Sequence, residues 1–336
     1  MKYILAILAL GVLILVHELG HFIMAKINKV KVIEFSIGMG PKIFTYKGKE
    51  TNYSISLLPI GGYVEMLGMH ETIDEENSFS SKSPLRRISI IIAGVVMNFI
   101  LAMGIFTAVT MHSGYRDLSV KEVVSDGAFE EAGIEEGSKL LKINGEKVKL
   151  YEEAVTEIVK GKEMDIQYKD TNGEVKNTIL KPKYDKKEKK YLVGVYFDVN
   201  KNPGVVDAFT HSCYQTKYLI EETVSTLVNL VTGKGNFKTD LGGPVTVVRL
   251  SAGAAEAGMW TLVYLVGLMS ISLAVFNIIP FPFLDGGWTV LLLIELITRR
   301  KVPDKVVGVL NTIGFILIMG LMVAVTIKDI IFPANF

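Results

Sequence analysis

Apolar positions along this chain fall into two patterns that do not mix. Four stretches, 3–25, 86–111, 259–280 and 307–327, are almost unbroken in aliphatic and aromatic residues. Each is long enough to cross a bilayer core as a helix, which takes roughly 20 residues. Between the second and third, apolar and polar residues alternate in short runs. β-type segments at 120–124 and 139–143, the latter ending on Asn144-Gly145, enclose a short helix at 128–132. Further strands are predicted near 164–169, 174–181 and 191–197. The lysine-rich 181–190 reads as a solvated turn, because acidic residues interrupt it. In 209–231, Phe209, Tyr214, Tyr218, Leu219, Val224, Leu227 and Leu230 are spaced among charges as an amphipathic helix lying on the membrane surface or on the protein.

A further element, 38–66, belongs to neither pattern. Its character alternates around Lys47-Gly48 like the strands of a hairpin, while its glycines and Pro59 break any helix. Its second half carries too few charges for an ordinary loop. Irregular backbone at membrane depth is tolerated only against protein or a water-filled cavity, so a sheet-like insert beside a functional site is expected.

Composition agrees with this segregation. Hydrophobic residues make up 49% of the 336 and the mean hydropathy is +0.37, yet 21% are charged. That combination indicates a membrane protein with a soluble part. A net charge of +1 gives no sign of a nucleic-acid partner. The single cysteine, Cys213, excludes an intramolecular disulfide and a Cys-rich metal cluster. The first apolar stretch follows Lys2 but has no convincing small-residue cleavage site, and reads as a retained span rather than a signal peptide. Lys26, Lys29, Lys31, Lys42, Lys47, Lys49, Lys82, Arg86 and Arg87 lie between the first two spans. Arg299, Arg300, Lys301 and Lys305 precede the last. The positive-inside bias assigns residues 26–86 and 299–305 to the cytoplasmic side of a cell membrane, with both termini and the region after 113 outside.

The first span holds the candidate chemistry. His17-Glu18-Leu19-Gly20-His21 is an HExxH motif. On a helix the two histidines stand one turn apart on one face, able to bind one metal, while Glu18 projects beside them to handle a water proton. A lone histidine here would more often be a satisfied core residue. Three ionisable groups on one turn of a membrane span are a functional signal. Zinc with two neutral imidazoles, one carboxylate and one hydroxide sums to about zero charge, far cheaper to bury than a bare ion. A third protein ligand is therefore required. Asp285, in "FNIIPFPFLDGGW" (276–288), is the best candidate, because Pro280, Pro282 and Gly286-Gly287 unwind the chain around it. The bland alternative for Asp285 is a helix cap.

These motifs resemble those of the bacterial site-2 proteases, intramembrane zinc metalloproteases with a PDZ domain of the regulator of sigma-E protease type. In order, the chain carries HExxH at 17–21, "FSIGMGP" at 35–41, "LLPIGGYV" at 57–64, "AGVVMNFILA" at 93–102, a PDZ-like "AGIEEGSKLLKING" at 132–145, and "NIIPFPFLDGG" at 277–287. The resemblance implies zinc held by His17, His21 and Asp285, Glu18 as general base, and Asn277 holding substrate or stabilising the oxyanion. Asn98, Gly61 and Gly62 are further substrate or oxyanion candidates. It also implies single-span membrane proteins as substrates, such as clipped anti-sigma factors or signal-peptide remnants. The chain departs from the family in Val95, where a proline is usual, in having room for one PDZ domain, and in Gly137-Ser138, where glycine-aspartate is common.

The expected architecture is thus a polytopic α-helical membrane protein, with four transmembrane helices, a membrane-associated β-hairpin insert and one extracytoplasmic α+β PDZ domain. Its domains are 1–112, a membrane core with the HExxH span; 113–200, PDZ-like; 201–258, an amphipathic helix and linker; and 259–336, a second membrane core. Two rivals stay open: a non-catalytic membrane PDZ adaptor, and an anchored zinc peptidase whose site lies in a soluble domain with a glutamate as third ligand.

Overall fold

A computed structural model describes residues 2–69, 71–237 and 241–332, with the side chains of 58–60 aside. The chain divides into two compact units, 1–105 with 219–336, and 106–218.

Among the described residues, four helices are long and apolar enough to span a membrane: α1 (Lys2–Ile27), α2 (Pro84–Ser113), α7 (Met259–Ile278) and α9 (Asp304–Ile331). All four spans predicted from hydropathy are therefore helical. On α1 the buried positions, Ala6, Leu13, His17, Gly20, His21 and Ala25, fall on one stripe. The remaining apolar surface is left for lipid, as a helix hydrophobic all round requires.

The insert consists of β1 (Val32–Lys47) and β2 (Asn52–Met66). It is more than the expected hairpin. Phe35 has two strand partners, Val64 on one side and Tyr53 on the other, and Tyr53 also pairs with Tyr46. Each strand therefore folds back on itself into two segments. Their order is 42–47, 52–56, 32–37 and 62–66. Gly38 and Gly40, both at positive φ, let β1 turn between its two segments. Val32, Phe35, Val64 and Met66 pack with Ala25, Ile90, Ile91 and Leu292 in one buried cluster, which joins the sheet to the helices.

Two helices of this unit were not expected. α6 (Pro244–Ala257) lies where a linker was predicted, and α8 (Asp285–Thr298) where a short connection to the last span was predicted. The N-terminus of α6 is satisfied by Asp329 of α9, whose carboxylate accepts from the Thr246 N–H at 2.8 Å. At 14 residues, α8 is too short to span, and it follows the break at 279–284.

Residues 106–218 form an α+β unit. β3 (Tyr115–Val123), β4 (Lys139–Ile143), β5 (Glu146–Lys147), β6 (Met164–Lys169), β7 (Val175–Leu180) and β10 (Val195–Asn200) make an antiparallel sheet in the order β10-β3-β4-β6-β7, with β5 beside β4. Met164, Ile166 and Tyr168 of β6 are buried while their neighbours face outward, the period-two pattern of a half-buried strand. They meet Phe129 and Ile134 around α3 (Ala128–Glu131), and Ala154 and Ile158 of α4 (Tyr151–Val159), in a single core. β8 (Lys183–Asp185) and β9 (Lys190–Leu192) form a separate hairpin at the lysine-rich turn. α5 (Val205–Val231) begins in this unit and is longer at its start than the predicted 209–231.

Candidate metal centre

His17 and His21 stand one turn apart on α1, buried against α2. Three positions of α2, each one turn from the next, make that fit. The carbonyl of Ile90 accepts the His21 Nδ1–H at 2.9 Å. Gly94 leaves space, since a Cβ there would stand 2.5 Å from His21 Nε2 and 2.7 Å from His17 Cε1. Asn98, fully buried, places its amide 3.3 Å from His17 Nδ1.

Those contacts fix the tautomers. The bond to Ile90 holds the proton of His21 on Nδ1 and leaves the Nε2 lone pair free. For His17 to do likewise, the amide atom facing its Nδ1 must accept. Asn98 Oδ1 is buried without a hydrogen-bond partner. Turning the amide gives it that proton, a choice set by the hydrogen-bond network. The Ser270 hydroxyl of α7 donates to the Asn98 backbone carbonyl at 2.8 Å and ties α2 to the third span.

Asp285 arrives at the first turn of α8. Gly286 lets it do so: a Cβ there would meet the carbonyl oxygens of Ile278 and Ile279 at 2.3 and 2.2 Å, so α8 can start this close to the end of α7 only at a glycine. The turn between them holds Phe283 at φ 80°, a conformation that costs a bulky residue on the order of 1–3 kcal/mol. The Phe283 N–H donates to Asn311 Oδ1 of α9 at 3.2 Å.

Three acceptor atoms converge as a result. His17 Nε2 lies 3.2 Å from His21 Nε2 and 3.2 Å from Asp285 Oδ2, and His21 Nε2 lies 3.4 Å from Asp285 Oδ2. With both imidazole protons on Nδ1, no proton stands between these atoms. Zinc bonds of about 2.0–2.1 Å at tetrahedral angles set neighbouring ligand atoms about 3.3 Å apart. The residues present therefore fit a zinc ion in donor type, count and spacing.

The remaining predicted residues take different places. Glu18 lies beside the trio, against the sheet: a Cβ on Gly62 would stand 3.3 Å from Glu18 Cγ, and the Val64 backbone interacts with the Glu18 carboxylate. Asn277, near the end of α7, sets its amide nitrogen 3.4 Å from His17 Nε2. Gly61, at φ 93°, packs on Met39 and does not reach the trio. Gly94 and Ile90 were not singled out in the sequence. The available signal for Gly94 was its spacing of four from Asn98.

A model of the family described as Peptidase family M50 matches residues 5–321. Among curated relatives, a Clostridium acetobutylicum protein named as a zinc metalloprotease is 44% identical, with 99% of this chain and 98% of that one covered. A Clostridium perfringens protein similarly named is 42% identical, with 99% of each covered. The zinc metalloprotease RasP of Geobacillus kaustophilus is 29% identical over 96% of each chain.

Proposed function

The chain belongs to peptidase family M50 as a membrane zinc metalloprotease, and on that premise we propose that it hydrolyses peptide bonds within or beside the membrane spans of other membrane proteins. The observation that carries this reading is the convergence of His17, His21 and Asp285 at 3.2–3.4 Å with their HExxH residues on a helix apolar enough to span the bilayer.

In this reading His17, His21 and Asp285 hold the zinc. Zinc, when bound, supplies Lewis acidity towards a peptide carbonyl and makes water available as a nucleophile near neutral pH. Glu18 takes the proton of the attacking water and returns it to the leaving amine. The Asn277 amide donates to the carbonyl oxygen as it becomes negative. Asn98 and the Ile90 carbonyl keep both imidazoles in the acceptor tautomer, and Gly94 keeps the space they need.

A substrate helix hides its carbonyls in hydrogen bonds, so it must be extended before it can react. Segment 62–66 lies at an edge of the insert and passes Glu18 at Gly62, which positions it to take an extended substrate as an added strand. The α+β unit is a PDZ domain, spanning 113–200, with 201–258 leading back to the second membrane core. It lies outside the cell with both termini, opposite the basic segments 26–86 and 299–305. Placed there, it admits substrates whose outer domains have been removed. The substrates are single-span proteins such as clipped anti-sigma factors or signal-peptide remnants.

The test is Glu18→Gln in the full chain. The variant is expected to keep its zinc while cleavage of a model single-span substrate drops 10²–10⁴-fold, the ordinary contribution of a general base. Comparing membrane proteomes of cells carrying the two forms identifies the substrates. Normal cleavage by a zinc-loaded Glu18→Gln protein would refute the enzymatic assignment of this site.

A further inference from the structure

Within the 106–218 unit, a cleft of about 460 Å³ opens between β3, β4, β5 and the first turns of α5. Its polar lining is mostly cationic. Lys139 is already engaged by Asp117 at 2.9 Å. Lys142, Lys147 and Lys149 have no carboxylate partner among the described residues, and they share the cleft with one further acid, Asp207. Lys142 and Lys147 are moreover direct cross-strand partners. Like charges facing each other across a ladder are destabilising, so a sheet keeps such a pair at a cost. Beside them His211 stacks on Tyr115 at 4.3 Å between ring centroids, and its Nδ1 is buried without a hydrogen-bond partner.

Two features say what kind of anion suits this place. Tyr115 follows the end of the α2 span by two residues. At about 3.3–3.6 Å per residue, the cleft begins within roughly 7 Å of the last residue of that helix, which is long and apolar enough to span a membrane. On α5, Asp207, Thr210, His211 and Tyr214 line the cleft, while Val205, Val206 and Phe209 next to them are 63%, 77% and 49% exposed. The α5 residues that line the cleft include one acid and no lysine or arginine, so the positive charge comes from β4, β5 and Lys149, and α5 supplies bare apolar surface beside it. Cationic and apolar surface side by side suit the headgroup layer of a bilayer.

We propose that this cleft binds the phosphate of an anionic phospholipid, with Lys142, Lys147 and Lys149 neutralising it, His211 Nδ1–H donating to it, and Val205, Val206 and Phe209 against the acyl chains. The lipid fixes the height of the outer unit at the bilayer surface. The proposal does not rest on the protease reading.

The experiment uses the full-length, zinc-loaded protein, with retained lipid measured by native mass spectrometry after addition of phosphatidylglycerol or phosphatidylcholine. Phosphatidylglycerol is expected to be retained over phosphatidylcholine. The triple variant K142Q/K147Q/K149Q is expected to weaken that retention on the order of a hundredfold, from about 1 kcal/mol per lysine near an anionic surface. H211A is expected to weaken it less, and unchanged resistance of residues 106–218 to limited proteolysis of the full chain shows that the variants are folded. As a charge-matched control, K186Q/K187Q/K189Q on the β8–β9 turn, whose lysines do not line the cleft, should leave retention intact. Equal retention of both lipids, an equal loss in the control, or no loss in the triple variant overturns the proposal. So does displacement of the lipid by inorganic phosphate at low millimolar concentration, which would make the occupant a free anion.

Discussion

Helix α8 is fastened at both ends by buried ionisable groups, and the two fastenings are built in opposite ways. At its far end Glu295 meets Arg87 of α2, an ion pair whose side chains are 11% and 9% exposed. The guanidinium also lies over the Phe79 ring at 6.0 Å. Donor meets acceptor there and the two charges cancel without a third group, although Arg87 Nε is left buried without a hydrogen-bond partner. Ten residues earlier, about 15 Å along the helix, Asp285 meets two imidazoles that both present lone pairs. Acceptors converge on acceptors, an arrangement that calls for a cation between them. Burial of charge alone therefore does not separate a structural contact from a reactive one. What separates them is whether the protons and lone pairs already match.

Asp285→Ala should have the largest effect on this contrast. It is expected to abolish zinc binding, read as metal per chain, and with it peptide cleavage, while the chain still inserts and folds. A variant that kept its zinc would move the third ligand elsewhere and end the comparison. Arg87→Met attacks the other end. Leaving Glu295 buried and alone should cost about 3–5 kcal/mol of stability, whereas the double variant R87M/E295L should come close to the parent. Denaturation in detergent reads both, and zinc content should not change in either; loss of zinc with Arg87→Met would show that the two ends are not independent. Asn98→Leu tests a finer point, since it removes only the group that orients His17. Zinc affinity in a chelator competition should fall 10–100-fold without loss of the site.

The smallest effect belongs to a pair outside the four helices long enough to span. Partial burial pushes the Asp117 carboxyl up, but the Lys139 ammonium, the Leu118 N–H and the Ser119 hydroxyl outweigh it and hold it below the usual carboxylate range. A carboxyl lowered in the folded state adds stability above its unfolded value, near 3.9. That contribution disappears as pH falls through the lower folded value. With Asp117 34% exposed, Asp117→Asn should cost below about 1 kcal/mol at neutral pH and nothing in strong acid. Melting curves across pH 2–7 measure it.

Much of this was legible in the chain because the bilayer imposes a long, simple signal. Hydropathy located α1, α2, α7 and α9, and the HExxH spacing with the broken Pro280–Gly287 stretch pointed to the three converging residues. Short elements escaped for physical reasons. α8 is apolar but too short to register as a span, and the basic Arg299–Lys301 stretch after it reads as a connection. α6 is rich in small residues and owes its first turn to Asp329, an acceptor supplied from another helix. The double pairing of Phe35 depends on glycine turns whose direction no alternation pattern encodes. Arg87 counted as one more cytoplasmic cation, because a sequence does not reveal that Glu295 waits beside it. Gly94 went unnoticed since its contribution is the absence of a side chain.

The division of the proposed zinc ligands between the two ends of the chain also sets an order of events. His17 and His21 leave the ribosome early, and at roughly 5–20 residues per second Asp285 follows on the order of ten to fifty seconds later. Until α8 is in place, the first helix carries imidazoles that lack their carboxylate and a glutamate with nothing to act upon. On that proposal a nascent or truncated chain has no competent centre, and the newly made protein gains its hydrolytic capacity only after α8 has been inserted.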